Sequence, residues 1–244
     1  MSDKKAAVVL AAGKGKRMKS DLPKVLHTIH GEPMITKIVK TLISLKFDKI
    51  IVVVGFKGEM VEEELKSFPV EIVWQKEQLG TGHAVMMAKD ALADFEGKTL
   101  IALGDVPFLK AATIENLIGV LDSTDAKASC LTSILDDPTG YGRIVRDENN
   151  QYMKEIVEHK DATESVLKIN EINTGTFCFD NQLLFEALQS INNNNAQGEY
   201  YLTDCVKYMF DKSLKVAPIV SENPAEGMGV NSIEQLEELA AKFQ

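Results

Sequence analysis

Cysteine is scarce in this chain. Cys130, Cys178 and Cys205 are three in number, far apart, and form no C-x-x-C pair. That spacing excludes a cysteine-built zinc site and a disulfide framework. Each thiol is expected to be a small buried hydrophobe. Long apolar runs are missing too: the first, Ala6 to Ala12, has seven residues. A signal peptide needs a longer core and a cleavage site, and a membrane span needs about 20 apolar residues. The expected location is therefore the cytoplasm, with no membrane partner. Basic charge is in deficit, with 27 Lys and Arg against 36 Asp and Glu and a formal net charge of −9. Broad nucleic-acid binding needs a basic face, so no nucleic-acid partner is expected. Phosphates can still be held, but only by a few focused groups. The four histidines, His27, His30, His83 and His159, show no metal spacing and no Ser or Cys nucleophile at a recognisable elbow. None is assigned catalysis.

What is present is ordinary in composition: 45% apolar and 26% charged over 244 residues, a globular average and a length for one or two domains. Four short apolar runs, Ala6–Leu10, Lys49–Val54, Val70–Trp74 and Thr99–Leu103, predict buried strands. Helical spacing between and after them predicts helices over Pro33–Lys46, Glu59–Ser67, Thr81–Leu92 and Ala111–Leu121. Strand–helix alternation predicts a mostly parallel sheet with helices on both faces. After residue 122 the texture becomes β-like, at Ala128–Leu135, Arg143–Val145 and Gln151–Glu158. Helices are then expected over Asn181–Ser190, Tyr200–Phe210 and Ser232–Phe243, with a strand at Leu214–Val220. This second half is expected to elaborate a ligand-facing lobe of the same domain.

The first strand runs into Leu10-Ala11-Ala12-Gly13-Lys14-Gly15-Lys16-Arg17-Met18, followed by Pro23-Lys24. In a parallel sheet such a loop sits at the carboxyl edge, where ligands bind. Small residues let backbone N–H groups approach a phosphate, and five basic side chains between Lys14 and Lys24 concentrate positive charge. The plainer alternative is a solvated basic loop. No Walker A loop fits, since Val8 and Leu10 stand where its first glycine belongs, and Met18 replaces the third glycine of a dinucleotide fingerprint. Gln75 and Asp105 follow the third and fourth strands at the same edge. An amide presents a donor and an acceptor, which suits the edge of uracil; a surface amide is the alternative. A strand-end carboxylate suits Mg²⁺; a helix cap is the alternative.

The run L-A-A-G-x-G-x-R-M with P-K resembles the signature of the sugar-nucleotide pyrophosphorylases, which join a nucleoside triphosphate to a sugar 1-phosphate. Further segments occur in order: Gln75-Lys-Glu-Gln-Leu-Gly80-Thr81-Gly-His-Ala, Gly104-Asp105-Val-Pro, Asp137-Pro-Thr-Gly-Tyr-Gly142-Arg-Ile, Ile156-Val-Glu158-His-Lys-Asp-Ala, Glu171-Ile-Asn173-Thr-Gly, Asn194-Asn-Ala-Gln-Gly-Glu-Tyr-Tyr201 and Gly229-Val-Asn231. From about residue 6 to 235 they resemble the N-acetylglucosamine-1-phosphate uridylyltransferase branch. One departure is Leu103, where the family often has an aromatic residue before Gly104.

The resemblance implies a three-layer α/β/α, Rossmann-like nucleotidyltransferase domain over 1–231, a C-terminal helix over 232–244, and no left-handed β-helix acetyltransferase domain. It implies Mg²⁺-dependent transfer from UTP to N-acetylglucosamine 1-phosphate, giving UDP-N-acetylglucosamine, a cell-envelope precursor, and pyrophosphate. Arg17, Lys24 and Asp105 would be catalytic, and Asp105 with Asn231 would bind the metal. Leu10, Ala11, Ala12 and Gly13 would hold the nucleotide, Gln75, Gly80, Thr81 and Gly104 the nucleoside, and Gly142, Glu158 and Asn173 the sugar. A monomer or weak dimer is expected, because the β-helix forms the trimer in bifunctional members. The rival readings are the same chemistry with another sugar or base, as in UDP-glucose or dTDP-glucose synthesis, and a non-catalytic nucleotide-sensing module.

Overall fold

Strands of a sheet covered on both faces read as unbroken apolar runs, and the four runs above behave accordingly. The computed structural model describes residues 3–243. Its elements in chain order are β1 (Lys5–Ala11), β2 (Thr28–Ile29), β3 (Glu32–Pro33), α1 (Met34–Ser44), β4 (Lys49–Val54), α2 (Gly58–Leu65), β5 (Glu71–Trp74), α3 (Thr81–Met86), β6 (Lys98–Leu103) and α4 (Ala111–Ser123). There follow β7 (Ala128–Ile134), β8 (Arg143–Arg146), β9 (Met153–Val157), α5 (Glu164–Leu167), β10 (Glu171–Asp180), α6 (Asn181–Leu188), α7 (Asp204–Asp211), β11 (Val216–Val220) and α8 (Ile233–Lys242).

The main sheet has the order β11-β7-β10-β6-β1-β4-β5. β1 lies parallel between β4 and β6, and β5 extends the parallel set. Alternate residues of the strands face opposite layers. Val8, Ile51, Val53 and Ile101 pack under α3, α6 and α7 residues such as Val85, Leu184 and Val206. Val9, Val52, Val54 and Leu100 pack under α1, α2 and α4 residues such as Ile38, Val61 and Leu117. Two apolar layers on one sheet give the expected three-layer architecture. Each fully buried aliphatic side chain contributes about 1.5–3 kcal/mol relative to exposure.

The chain returns across the sheet between β5 and β6, so the carboxyl ends of β1 and β6 meet at a topological switch point, the preferred place for a ligand. β10 is antiparallel to β6, with Phe177 opposite Ile101, so its earlier residues run past the end of β6 to that same edge. The ten-residue strand β10 was not anticipated beyond its Glu171–Gly175 motif. Its residues Thr176 to Phe179 are buried on both faces and show no alternation.

Two other expectations need correction. The helix expected over Thr81–Leu92 ends at Met86, where bonds shorten to three-residue steps: Met87 to Ala84, Ala88 to Val85 and Lys89 to Met86. The helix expected from Tyr200 begins at Asp204, because Tyr200 is held in an extended pairing: its N–H donates to Leu79 (2.8 Å) and its carbonyl accepts from Gly82 (2.8 Å). The β2–β3 hairpin and the short α5 gave no recognised signal. All three thiols are buried, and burial pushes Cys178 up to about 12 and raises Cys130 and Cys205 as well. Among the described residues no helix is long and apolar enough to cross a membrane.

Candidate active site

β1 ends at Ala11, and the chain leaves the sheet through Ala12 and Gly13 with open space beside Gly13. Gly15 has φ +55°, and a Cβ there would lie 2.8 Å from Lys24 Cβ. Only glycine lets the loop fold onto Lys24 in this way. The Met18 N–H donates to the Gly15 carbonyl (2.9 Å), closing the turn that carries Arg17. Lys24 follows Pro23, opens a short 3₁₀ turn, and reaches back over the loop.

At the end of β6 stands Asp105, 8% exposed. Its backbone carbonyl accepts from the Val230 N–H (2.9 Å), which brings the Gly229–Asn231 segment alongside. Asn231 donates through its amide nitrogen to the Gly229 carbonyl (3.2 Å), so Oδ1 is left to accept from Lys24 Nζ at 3.1 Å. The same ammonium forms an ion pair with Asp105 Oδ2. Two oxygens touching one nitrogen lie within about 6 Å of each other, the sum of two polar contacts. The helix-cap alternative for Asp105 fails, since α4 begins at Ala111 with Lys110 at its N-cap.

Gln75 immediately follows β5 and is 3% exposed. Its amide nitrogen donates to the Gly80 carbonyl (3.1 Å) and lies 3.0 Å from His83 Nδ1, so both N–H groups have partners. The expected donor–acceptor pair is therefore reduced to the acceptor, Oε1. Gly80, with φ +106°, starts α3; a Cβ there would meet the Tyr200 carbonyl at 2.6 Å. The Thr81 hydroxyl accepts from the Leu202 N–H (3.2 Å), which closes the 79–82 and 199–202 segments against each other.

The opposite wall comes from the second half. Asn173 Oδ1 accepts from the Gly175 N–H (2.8 Å), which leaves the two amide hydrogens of Asn173 for the cleft it lines. Glu158 accepts from the Thr203 hydroxyl at 3.0 Å. Burial raises the Glu158 carboxyl; the Thr203 hydrogen bond opposes that, and Asp204, Asp161 and Glu199 add like charge. Burial likewise raises the Tyr141 phenol, against the positive charge of Arg17.

These walls enclose one cleft of about 650 Å³. Leu10, Ala11, Ala12, Gly13, Lys24, Gln75, Gly80, Thr81, Asp105, Gly142, Glu158, Asn173 and Asn231 all line it. Two expected residues do not. Arg17 is exposed on the rim, within electrostatic range of Tyr141. Gly104 is buried behind the wall against Ile35 and Val25, and its N–H donates to the Leu10 carbonyl (2.9 Å). Tyr141, Gln78, Glu199, Leu202 and Thr203 line the cleft and were not singled out. Tyr141 and Glu199 lie inside segments already noted, whereas Thr203 follows one and gave no signal of its own.

A basic loop and a carboxylate–amide pair at the switch point of a mostly parallel sheet are the equipment of a nucleotidyltransferase. The family model described as the MobA-like NTP transferase domain matches residues 7–167, and the chain belongs to that family. It is 48% identical over 241 residues to "Bifunctional protein GlmU" of Listeria monocytogenes serotype 4a (strain HCC23), covering 99% of this chain and 52% of the relative. The protein of the same name from Oceanobacillus iheyensis is 49% identical over 225 residues, 92% of this chain and 49% of the relative. The chain thus spans about half the length of the curated relatives it matches. A solved UDP-glucose pyrophosphorylase complexed with UDP-glucose superposes with a TM-score of 0.77 at 17% identity, over 98% of each chain. At that identity it shows the fold.

Nucleotidyltransferases of this type generally use a divalent metal. Asp105 and Asn231 fit one: a charged and a neutral oxygen already converge on a single cationic group. Among the described residues no three His, Cys, Asp or Glu side chains gather to hold a metal ion. A metal here would therefore take its remaining oxygens from the nucleotide and water.

Proposed function

We propose that this chain transfers a uridylyl group from UTP to N-acetyl-α-D-glucosamine 1-phosphate, forming UDP-N-acetylglucosamine and pyrophosphate. The convergence of Lys24, Asp105 and Asn231 at the switch point carries this reading, and the names of the half-length relatives support it. A phosphate oxygen of the sugar 1-phosphate attacks the α-phosphorus in line. One P–O bond forms, the α–β anhydride bond breaks, and pyrophosphate leaves with its electron pair. A phosphate monoester is already nucleophilic, so the protein's task is positioning and charge neutralisation.

The backbone from Leu10 to Gly13 approaches the phosphates, Lys24 neutralises them, and Arg17 on the rim meets the departing pyrophosphate. Gln75, Gly80 and Thr81 hold the uracil nucleoside. Glu158 accepts from sugar hydroxyls, Asn173 donates to the sugar, and Gly142 leaves room for it. Asp105 and Asn231 would hold Mg²⁺, which when bound neutralises charge on the transferring phosphate. Incubation with UTP, Mg²⁺ and N-acetylglucosamine 1-phosphate should release pyrophosphate, and chelation with EDTA should stop it. No release from a folded preparation, with this or any other sugar 1-phosphate, would leave a nucleotide-sensing module instead.

A further inference from the structure

The Gly80 carbonyl can only accept, so the Gln75 atom 3.1 Å away must be the amide nitrogen. That nitrogen has two hydrogens, and its other partner is His83 Nδ1 at 3.0 Å. His83 must therefore present a lone pair at Nδ1 and carry its proton on Nε2. Gln75 lines the cleft and is 3% exposed, and Oε1 is the only polar atom of its amide left without these partners.

We infer that His83 is a positioning residue: it fixes the Gln75 amide with its oxygen toward the base, and so makes the site select a pyrimidine with N–H at ring position 3. The inference rests on the proposed reading only for the place of the nucleotide. Uracil carries that N–H. Cytosine presents a lone pair at the same position, which would face the Gln75 oxygen. Turning the amide over would serve cytosine, but it would set Oε1 against the Gly80 carbonyl and would oblige His83 to move its proton from Nε2 to Nδ1. Without His83 the tautomer requirement disappears, only the Gly80 clash remains, and the barrier to misreading falls.

His83 also lies near the Tyr200 ring, with centroids 6.4 Å apart, so a packing role must be separated from the proposed one. His83→Phe keeps an aromatic ring and removes the acceptor. His83→Asn removes the ring and places an amide oxygen near the former Nδ1. Calorimetric titration with UTP and with CTP, each with Mg²⁺, gives the affinity ratio. Wild type should favour UTP, the Phe variant should lose severalfold of that ratio, and the Asn variant should regain most of it. A Phe variant with the wild-type ratio, or a wild type that binds both nucleotides alike, overturns the inference. Nitrogen-15 NMR of the unsubstituted protein adds a test that needs no variant: a proton on His83 Nδ1 overturns it as well. Pyrophosphate release measured on the same preparations keeps the two ideas apart. Its absence alongside the expected affinity ratios rejects the proposed activity and leaves the role of His83 standing.

Discussion

At the end of the cleft proposed for the phosphates, a lysine and a carboxylate are paired. Lys24 joins Asp105 and Asn231, and the basic loop after β1 packs against Lys24 at Gly15. At the end proposed for the sugar the balance is reversed: Glu158 has Asp161, Glu199 and Asp204 for neighbours, and among the described residues none of these four forms an ion pair. The contrast has a use for a ligand that is charged at one end and neutral at the other. Carboxylates accept from hydroxyls and repel phosphate, so for the proposed substrate the acidic wall would hold the sugar and turn its phosphate toward Lys24. On that proposal, orientation would come from the charge distribution of the cleft, before any close contact is made.

The largest effects should follow from changes at the phosphate end. Asp105→Asn removes the only formal protein charge on the proposed metal and should lower kcat about 10³-fold, whereas Asn231→Ala should lower it about 10–100-fold. Lys24→Ala should cost about 10²–10³ in turnover, the worth of a desolvated ammonium–phosphate contact of roughly 2–4 kcal/mol in the transition state. Stopped assays of pyrophosphate on variants with wild-type melting behaviour measure all three. Near-normal turnover in Lys24→Ala would remove the phosphate clamp from the account.

Glu158→Gln sharpens the comparison from the other side. It weakens charge-assisted bonds to hydroxyls by about 1–2 kcal/mol, so KM for the sugar phosphate should rise roughly tenfold with a smaller change in kcat. A fall in kcat with KM unchanged would place Glu158 with the reacting atoms instead.

The smallest effect concerns stability. Burial, with the nearby charge of Asp161, pushes the Asp204 carboxyl up to about 6. A folded-state value above the unfolded one of about 4 means that folding takes up a proton between these pH values. The stabilisation is complete below about pH 4 and is lost as pH rises through about 6. The face value of about 3 kcal/mol must be discounted, because the group is only half-buried and sits at the start of α7, where a carboxylate is favoured. Asp204→Asn should thus raise stability by about 1 kcal/mol near pH 8 and leave it unchanged near pH 4, as read by thermal melts. Equal melting shifts at both pH values would contradict the assigned ionisation.

The same division separates what the sequence discloses from what it conceals. The β1 loop, Gln75 and Asp105 are legible because each immediately follows an apolar run, and strand ends in a parallel sheet are where ligands gather. Asn231 is different. No local pattern joins it to Asp105, and only the family resemblance placed it there. The clamp between Leu79–Gly82 and Glu199–Leu202 lay hidden because Tyr200 and its successors carry a helical pattern that the pairing overrides. The use of both Gln75 hydrogens was equally invisible, since it depends on where the His83 ring settles after α3 forms. Local chemistry is written locally, and partnerships across the fold are not.

A competition assay tests the central claim most directly. With UTP, Mg²⁺ and equal N-acetylglucosamine 1-phosphate and glucose 1-phosphate, mass spectrometry of the products gives the ratio of the two UDP-sugars. UDP-N-acetylglucosamine should be in large excess, with pyrophosphate in equal amount to total nucleotide sugar. Predominant UDP-glucose, or nucleotide sugar without pyrophosphate, would contradict it.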